Sequence, residues 1–451
     1  MPRHANTKLL LLLNICDWNA AQLARAMGEL ARERGVNRAG DRSTVTRWLA
    51  GTQPRADAAL LLLQALTRRL GRPVTAQEAG LTRAPAYLPP PTWEGCPMHH
   101  LARLTTAETD PTLHRLLVTG EFSLAALTLP DSLIQSASAP VAVSASTARR
   151  AGSAQVEELG AMTRMFADAA ALHGGEHTRP ALAAYLHHTV RPLLRTAATQ
   201  AVHRSLLVAT SHLTLLLGTM CDDAGRIAAA QHYHHTAARL AADADDHAAL
   251  AMALRAMATH AHNLGHHLPA VGHLAEAAAD HARHAPDAVR AYTLAQLAVV
   301  EAHDDRRSAL ATFTRAEHHH TRSDQDTEPP GPFTIYPEGA LHFQRAHMLA
   351  TFGDARAAAR ALSASLAART PRERHPRALT HAHYAETLHR VGRHDEALIH
   401  WHHFFDLYPH LTSTRAAQRL ATMRRLLAPH RHRPRTRDLL SRASQLGACA
   451  V

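Results

Sequence analysis

An internal repeat of about 40 residues constrains this 451-residue chain more than any other feature. Small or bulky residues, most of them apolar, recur at offsets 0, +4 and +7, five positions after a Gly or Asp turn residue. Such offsets mark one face of an α-helix, and successive sets at 40, 39, 49 and 39 residues indicate stacked helix pairs. The sets are Ala230/His234/Ala237, Ala270/Leu274/Ala277, Ala309/Phe313/Ala316, Ala358/Leu362/Ser365 and Ala397/Trp401/Phe404, and the turns are Gly225, Gly265, Asp304, Gly353 and Gly392.

The composition points to the same fold class. Hydrophobic residues make up 46% of the chain but aromatic residues only 4%, because alanine and leucine supply most of the apolar content. Residues that favour strands are scarce, and alanine allows helices to approach closely. We therefore predict an all-α protein whose repeats form an α-solenoid of antiparallel helix pairs.

The N-terminal part of the chain differs from the repeats. Residues 1–81 carry 12 basic and 6 acidic side chains, and this surplus suits a polyanionic partner. Caps and breakers predict short helices at 7–16, 20 to about 34, 43–50 and 57–70 and a last turn at 75–81, with Asn19 and either Asp41 or Ser43 as N-caps. The predicted domains are 1–82, a DNA-binding domain; 83–155, a Pro/Ser/Ala-rich linker region; 156–428, the repeats; and 429–451, a basic tail.

Two segments of the first domain carry a DNA-reading pattern. Trp18–Ala24 followed by Ser43–Gly51 resembles the Cro/phage-repressor type of helix-turn-helix. In that motif the N-terminal end of the second helix enters the major groove, where Arg can bond guanine at two atoms and Ser or Thr can reach base edges. The candidate DNA-binding residues are Arg42, Ser43, Thr44, Thr46 and Arg47 at this helix start, with Gln53 and Arg55 just beyond it for backbone phosphates.

The likeness extends to a group of actinobacterial transcriptional regulators. It is carried by Asp41–Val45, Trp48–Gly51 and Leu70–Thr75 in the first domain and by Gly174-Gly175 and Asp223–Arg226 beyond it. The group joins an N-terminal Cro/repressor-type helix-turn-helix domain to C-terminal tetratricopeptide-like repeats. The resemblance implies a cytoplasmic regulator that binds double-stranded DNA and whose repeats sense a signal.

The repeats predict a groove for that signal. In paired-helix arrays the first helix of each pair lines the concave face, where peptides commonly lie. The candidate ligand-groove residues, counted back from the turns, are His212, Arg255, Thr259, His262, Asn263 and Glu301. We expect a peptide, small-molecule or protein signal there. A second class of function stays open: a signalling scaffold whose degenerate helix-turn-helix makes protein–protein contacts.

Catalytic and metal motifs are missing from the sequence. It contains no Walker lysine pattern, no Gly-x-Ser-x-Gly and no His-Glu-x-x-His. Among 38 histidines, the pair four residues apart that we single out is His262 and His266, and Gly265 interrupts the helix between them. We therefore expect no enzyme activity, no cofactor and no metal.

Cysteine usage and hydropathy bear on the compartment. The cysteines show no paired spacing and suit the reducing cytoplasm; they are Cys16, Cys96, Cys221 and Cys449. No apolar window approaches the roughly 18 residues of a spanning helix, so we expect a soluble protein without a membrane partner. Because one helix-turn-helix reads only a few base pairs, we also expect a homodimer, held by the repeats near Trp401, Phe404 and Phe405. The alternative is that these aromatic residues fill the core of the last repeat.

Overall fold

The computed structural model describes residues 5–33, 41–70, 74, 76–81, 90–110, 113, 117, 122–134, 151–323 and 335–448. In this part of the chain every regular element is helical, and the helices pack in adjacent pairs. The prediction of an all-α, solenoid-like fold is confirmed. Parts of the predicted linker region and tail, among them 83–89, 135–150 and 449–451, lie outside the described residues.

The chain forms two compact units. Unit 1 comprises Met1–Thr92 and Thr112–Thr128, and unit 2 comprises Trp93–Pro111 and Leu129–Val451. The helices of unit 1 are α1 (Thr7–Cys16), α2 (Ala20–Glu33), α3 (Arg42–Leu49) and α4 (Ala56–Leu70).

Caps and core explain why unit 1 folds as the sequence predicts. Asn19 caps α2, since its side-chain oxygen accepts hydrogen bonds of 3.0 Å from the backbone amides of Ala21 and Gln22. The Gln22 side chain accepts in return from the Asn19 amide at 2.8 Å, so the two residues satisfy each other's free donors. The apolar faces of the unit 1 helices then pack together into one core, which includes Leu9, Leu13, Leu23, Met27, Leu62 and Leu66.

Unit 2 holds the repeat array. Five helix pairs, from α8/α9 to α16/α17, pack side by side. All members of the five predicted sets are buried except the half-buried Ala270 and Ala277, and the four glycine turns have φ between 72° and 83°. The helices are α5 (Pro97–Thr109), α6 (Ser153–His173), α7 (Gly175–Tyr185), α8 (Gln200–Asp223), α9 (Ile227–Asp243), α10 (His247–Asn263), α11 (Pro269–His281), α12 (Asp287–Glu301), α13 (Arg306–Ser323), α14 (Glu338–Thr351), α15 (Ala355–Ala368), α16 (Arg374–Arg390), α17 (His394–Leu407), α18 (Thr414–Leu427) and α19 (Pro434–Ala448).

Two helices lie where the sequence analysis placed a linker and a tail. Within 83–155, α5 packs on α9 in unit 2, and within 429–451, α19 packs on α17 and α18. The Glu108 carboxylate of α5 pairs with Arg179, and the two side chains are 2% and 3% exposed. The proline content suggested an extended segment, but Pro97 is the first residue of α5, where its missing N–H has no intrahelical partner to lose.

The array in unit 2 closes on itself. The Thr412 amide donates to the His173 carbonyl at 2.8 Å, next to the junction of α6 and α7. The Asp223 carboxylate at the end of α8 accepts from the Ser413 hydroxyl at 2.6 Å and lies 2.8 Å from His375 Nε2. In addition, α6 packs against α16. The first helices of the array therefore contact the last ones.

Helix α8 is the described helix that is long and apolar enough to cross a membrane. However, 72% of its apolar window is buried inside the fold, as in the core helix of a soluble protein.

Candidate nucleic-acid interface

Helix α3 has one buried and one exposed face. Val45 is fully buried and Trp48 is 5% exposed, and both belong to the unit 1 core. The opposite face carries the candidate DNA-binding residues predicted from the sequence. Arg42, Ser43, Thr46 and Arg47 are exposed, and Thr44 is half-buried.

Asp41 organises the start of this helix. Its carboxylate oxygen accepts hydrogen bonds from the Thr44 amide at 2.9 Å and from the hydroxyls of Ser43 at 2.8 Å and Thr44 at 2.7 Å. These bonds, those from Thr44 first, lower the pKa of Asp41 to about 2, so the cap stays ionised at neutral pH. Because both hydroxyl protons point to Asp41, the oxygens of Ser43 and Thr44 act as acceptors.

The two arginines of α3 flank these hydroxyls. Arg47 donates to the Thr44 hydroxyl at 3.1 Å, and the Thr46 hydroxyl donates to the Arg42 carbonyl at 2.9 Å. The second bond directs the Thr46 hydroxyl proton to the backbone of its own helix. The exposed polar surface of α3 therefore combines the side chains of Arg42 and Arg47 with the hydroxyls of Ser43 and Thr44.

The two residues expected to hold phosphates differ in position. Arg55 is exposed immediately before α4. Gln53 is half-buried, and its amide donates to the Gly80 carbonyl at 3.3 Å within unit 1. Arg55 is thus presented to solvent, whereas Gln53 helps to hold the turn at 76–80.

The predicted ligand-groove residues of unit 2 are only partly open to solvent. Asn263 is exposed and Arg255 is buried; the other four, His212, Thr259, His262 and Glu301, are half-buried. The Arg255 guanidinium donates to the Tyr292 hydroxyl at 2.8 Å and its carbon atom lies 3.7 Å from that ring's centre. The Arg255 guanidinium therefore makes its contacts within the protein, by stacking and by a hydrogen bond, and is not presented to a ligand.

Two other groove residues also bond within the fold. The Thr259 hydroxyl donates to the Arg255 carbonyl at 2.8 Å, and Glu301 accepts from the Ser308 hydroxyl at 3.0 Å. Burial lowers the pKa of His212 to about 4 and keeps it neutral. Asn263 is the member of the set whose side chain is exposed.

Two arginines that were not among the predicted site residues contact the array helices α8 and α16. Arg415 of α18 lies 3.7 Å from the Asp222 carboxylate of α8, and Arg419 lies 3.1 Å from the Glu386 carboxylate of α16. Their spacing of four residues places both on one face of α18. That spacing was the available signal, but only the closure of the array shows which carboxylates they meet.

Two groups of three histidines have the spacing of metal ligands. They are His262, His267 and His303, and His389, His394 and His430, and in each group the ligand atoms lie within 4.8 Å of one another. In the sequence, His262 and His266 are four residues apart with Gly265 between them. The structure instead brings His262 to His267 and His303, because the turn after α10 carries the next histidine towards the end of α12.

The N-terminal segment has a family counterpart. Residues 9–82, which cover most of α1 and all of α2 to α4, match the family model of the SP15 N-terminal domain. No curated protein and no solved structure matches the chain.

Proposed function

We propose that this chain is a DNA-binding transcriptional regulator. In this proposal α2 and α3 form a Cro/repressor-type helix-turn-helix, and the tetratricopeptide-like repeats of unit 2 sense a peptide, small-molecule or protein signal. The observation that carries it is the exposed start of α3, which presents Arg42, Ser43 and Arg47, with the Arg47 guanidinium bonded to the Thr44 hydroxyl at 3.1 Å. Arginine forks and hydroxyls at a helix N-terminus suit base edges and phosphates in a major groove.

The buried face of α3 supports the same proposal. Val45 and Trp48 fix the helix on the unit 1 core, so the polar face is held by packing. Arg55 adds a cation beside this face for the DNA backbone. No catalysis, cofactor or membrane is part of the proposed function. We place the protein in the cytoplasm, where the described thiols of Cys16, Cys96 and Cys221 would stay reduced.

We further propose that the regulator acts as a homodimer, since paired readers occupy two half-sites. The contact expected from Trp401, Phe404 and Phe405 is not available, because these side chains are fully buried in the C-terminal core of unit 2. Exposed apolar side chains lie instead on α1. Leu10, Leu11 and Ile15 are 49%, 60% and 56% exposed, and a second copy of α1 would cover them.

Selection from a random pool of double-stranded DNA, with the full-length chain as bait, tests the proposal. We expect one sequence class to be enriched. Arg42→Ala and Arg47→Ala should each weaken binding of that duplex by about 1–3 kcal/mol. Circular dichroism should be unchanged, because both side chains are exposed.

Arg47→Lys is the matched control. It keeps the positive charge but loses the planar fork, so the salt dependence of binding should persist while discrimination at one base pair is lost. Two results would contradict the proposal: no enriched duplex, or equal affinity in the parent and the double alanine variant. The first result would favour the scaffold alternative.

A further inference from the structure

Three histidines meet near the C-terminal end of unit 2. His389 lies in the last turn of α16, His394 is the first residue of α17, and His430 ends the short turn after α18. All three are half-buried. The Nδ1 atoms of His389 and His394 are 3.1 Å apart. Two imidazole lone pairs repel at that distance unless a proton or a metal ion lies between them.

The geometry of this cluster is that of a three-imidazole metal site. A zinc ion binds imidazole nitrogens at about 2.0–2.1 Å, and tetrahedral angles then place donor atoms about 3.3 Å apart and ring centres about 5.2 Å apart. The ring centres of His389, His394 and His430 are separated by 4.6, 5.2 and 5.5 Å.

The other histidine cluster fits less well. Its ring centres are 5.2, 5.2 and 3.9 Å apart, and the shortest of these, between His267 and His303, is too close for two ligands of one tetrahedral ion. His267 and His303 are also exposed, whereas all members of the C-terminal cluster are held between helices.

A pocket opens beside the C-terminal cluster. It has a volume of about 300 Å³ and is lined by all three histidines together with Asp395, Arg433 and Arg435. Three protein ligands leave one position on a tetrahedral ion, and the pocket beside the cluster offers room for a fourth ligand. Asp395 lines that pocket, and the two arginines favour an anion if the fourth ligand comes from solution.

We propose that His389, His394 and His430 bind a divalent transition metal ion, with Zn²⁺ as the ion that suits three imidazoles and an open fourth position. The ion would join the turn between α16 and α17 to the end of α18. These helices also close the array against α6 and α8. Metal binding would therefore stabilise the closed form of unit 2.

Zn²⁺ titration of the full-length, chelator-treated chain tests this site. We expect one Zn²⁺ per chain to bind more tightly than the remaining histidines do, and Co²⁺ to give the intense visible bands of tetrahedral coordination. His389→Gln and His430→Gln should each weaken the tight site by about tenfold or more, since removing a ligand costs at least as much as removing its supporting partner. Zn²⁺ should raise the melting temperature of the parent but not of these variants.

Two matched variants separate the alternatives. His402→Gln removes an exposed histidine from the same helix, α17, and should leave the tight site unchanged. His303→Gln removes a member of the other cluster. Loss of the tight site in His303→Gln, or an unchanged site in both His389→Gln and His430→Gln, would overturn the proposal. Melting curves without metal show whether each variant folds like the parent.

Discussion

His234 occupies the central position of the first repeat set, where the other four sets carry leucine, phenylalanine or tryptophan. It is 3% exposed, and neither ring nitrogen has a hydrogen-bond partner. Its ring packs against Gly218 and the ring of His260, whose centre is 5.6 Å away. Burial, followed by the nearby His260, lowers the pKa of His234 to about 3 although the Asp222 carboxylate opposes this shift. The residue is therefore a neutral member of an apolar core.

This burial predicts acid sensitivity. The unfolded chain binds a proton at His234 near pH 6.5 but the folded chain only near pH 3, so protonation favours unfolding as the pH falls from 6.5 towards 3. Above pH 6.5, protonation of His234 no longer lowers the free energy of unfolding. The free energy of unfolding should lose about 2 kcal/mol through this residue at pH 5.

Urea unfolding at pH 7 and pH 5 measures that loss. His234→Leu, which cannot be charged, should show a pH dependence smaller than that of the parent by about 2 kcal/mol. His273→Leu, an exposed position on α11, should titrate like the parent. An identical pH dependence in His234→Leu would mean that the buried imidazole does not contribute.

Single elements were predictable where local chemistry decides them. Helix α1 has the predicted bounds, and α4 begins one residue earlier than expected, because caps and breakers are encoded within a few residues. The exposed start of α3 was predictable for the same reason. The helix α5 was not, because its contacts are with residues distant in the sequence, such as the buried pair of Glu108 and Arg179, which are 71 positions apart.

The junction of α6 and α7 depends on Gly174. This residue has φ 89° and ψ 164°, and a Cβ atom there would lie 2.7 Å from the Thr412 carbonyl oxygen. Gly174→Ala should therefore disturb the contact that closes the array as well as strain the backbone. Gly353 is the matched control, since its φ is 78° but no atom lies within 4 Å of its added Cβ.

Chemical denaturation distinguishes the two glycines. Gly353→Ala should lower the free energy of unfolding by about 1–2 kcal/mol through its left-handed backbone alone. Gly174→Ala should lower it further, because φ 89° with ψ 164° is a region that essentially only glycine adopts and because the Thr412 backbone must move. Equal losses in the two variants would show that the closing contact contributes nothing to stability.

At the scale of the molecule, periodicity predicted the helix pairs but not their closure. The repeat pattern relates each pair to its neighbours, about 40 residues away. The closing bonds of Ser413 to Asp223 and of Thr414 to Ala224 each span 190 residues. No local pattern records such contacts. For the same reason, the positions of Arg415 and Arg419 and the meeting of His389 with His430 could not be read from spacing.

The proposed homodimer is tested at this scale by sedimentation. The full-length parent should sediment as a dimer at high concentration, and Leu11→Glu should shift it to a monomer by placing a charge in the exposed face of α1. Leu310→Glu changes a leucine on α13 that is 42% exposed and should leave the dimer intact. A monomeric parent, with and without DNA, would contradict the dimer.

Closure also changes how the repeat array can come apart. An open stack of repeats frays from its two ends, because each terminal repeat has a neighbour on one side only. In unit 2 the two ends of the array contact each other. The first end carries His173 and Asp223, and the last end carries Thr412 and His375, which contact them. Unfolding of any one repeat would then remove packing contacts from the repeats on both sides of it. The array should therefore unfold in a single cooperative transition.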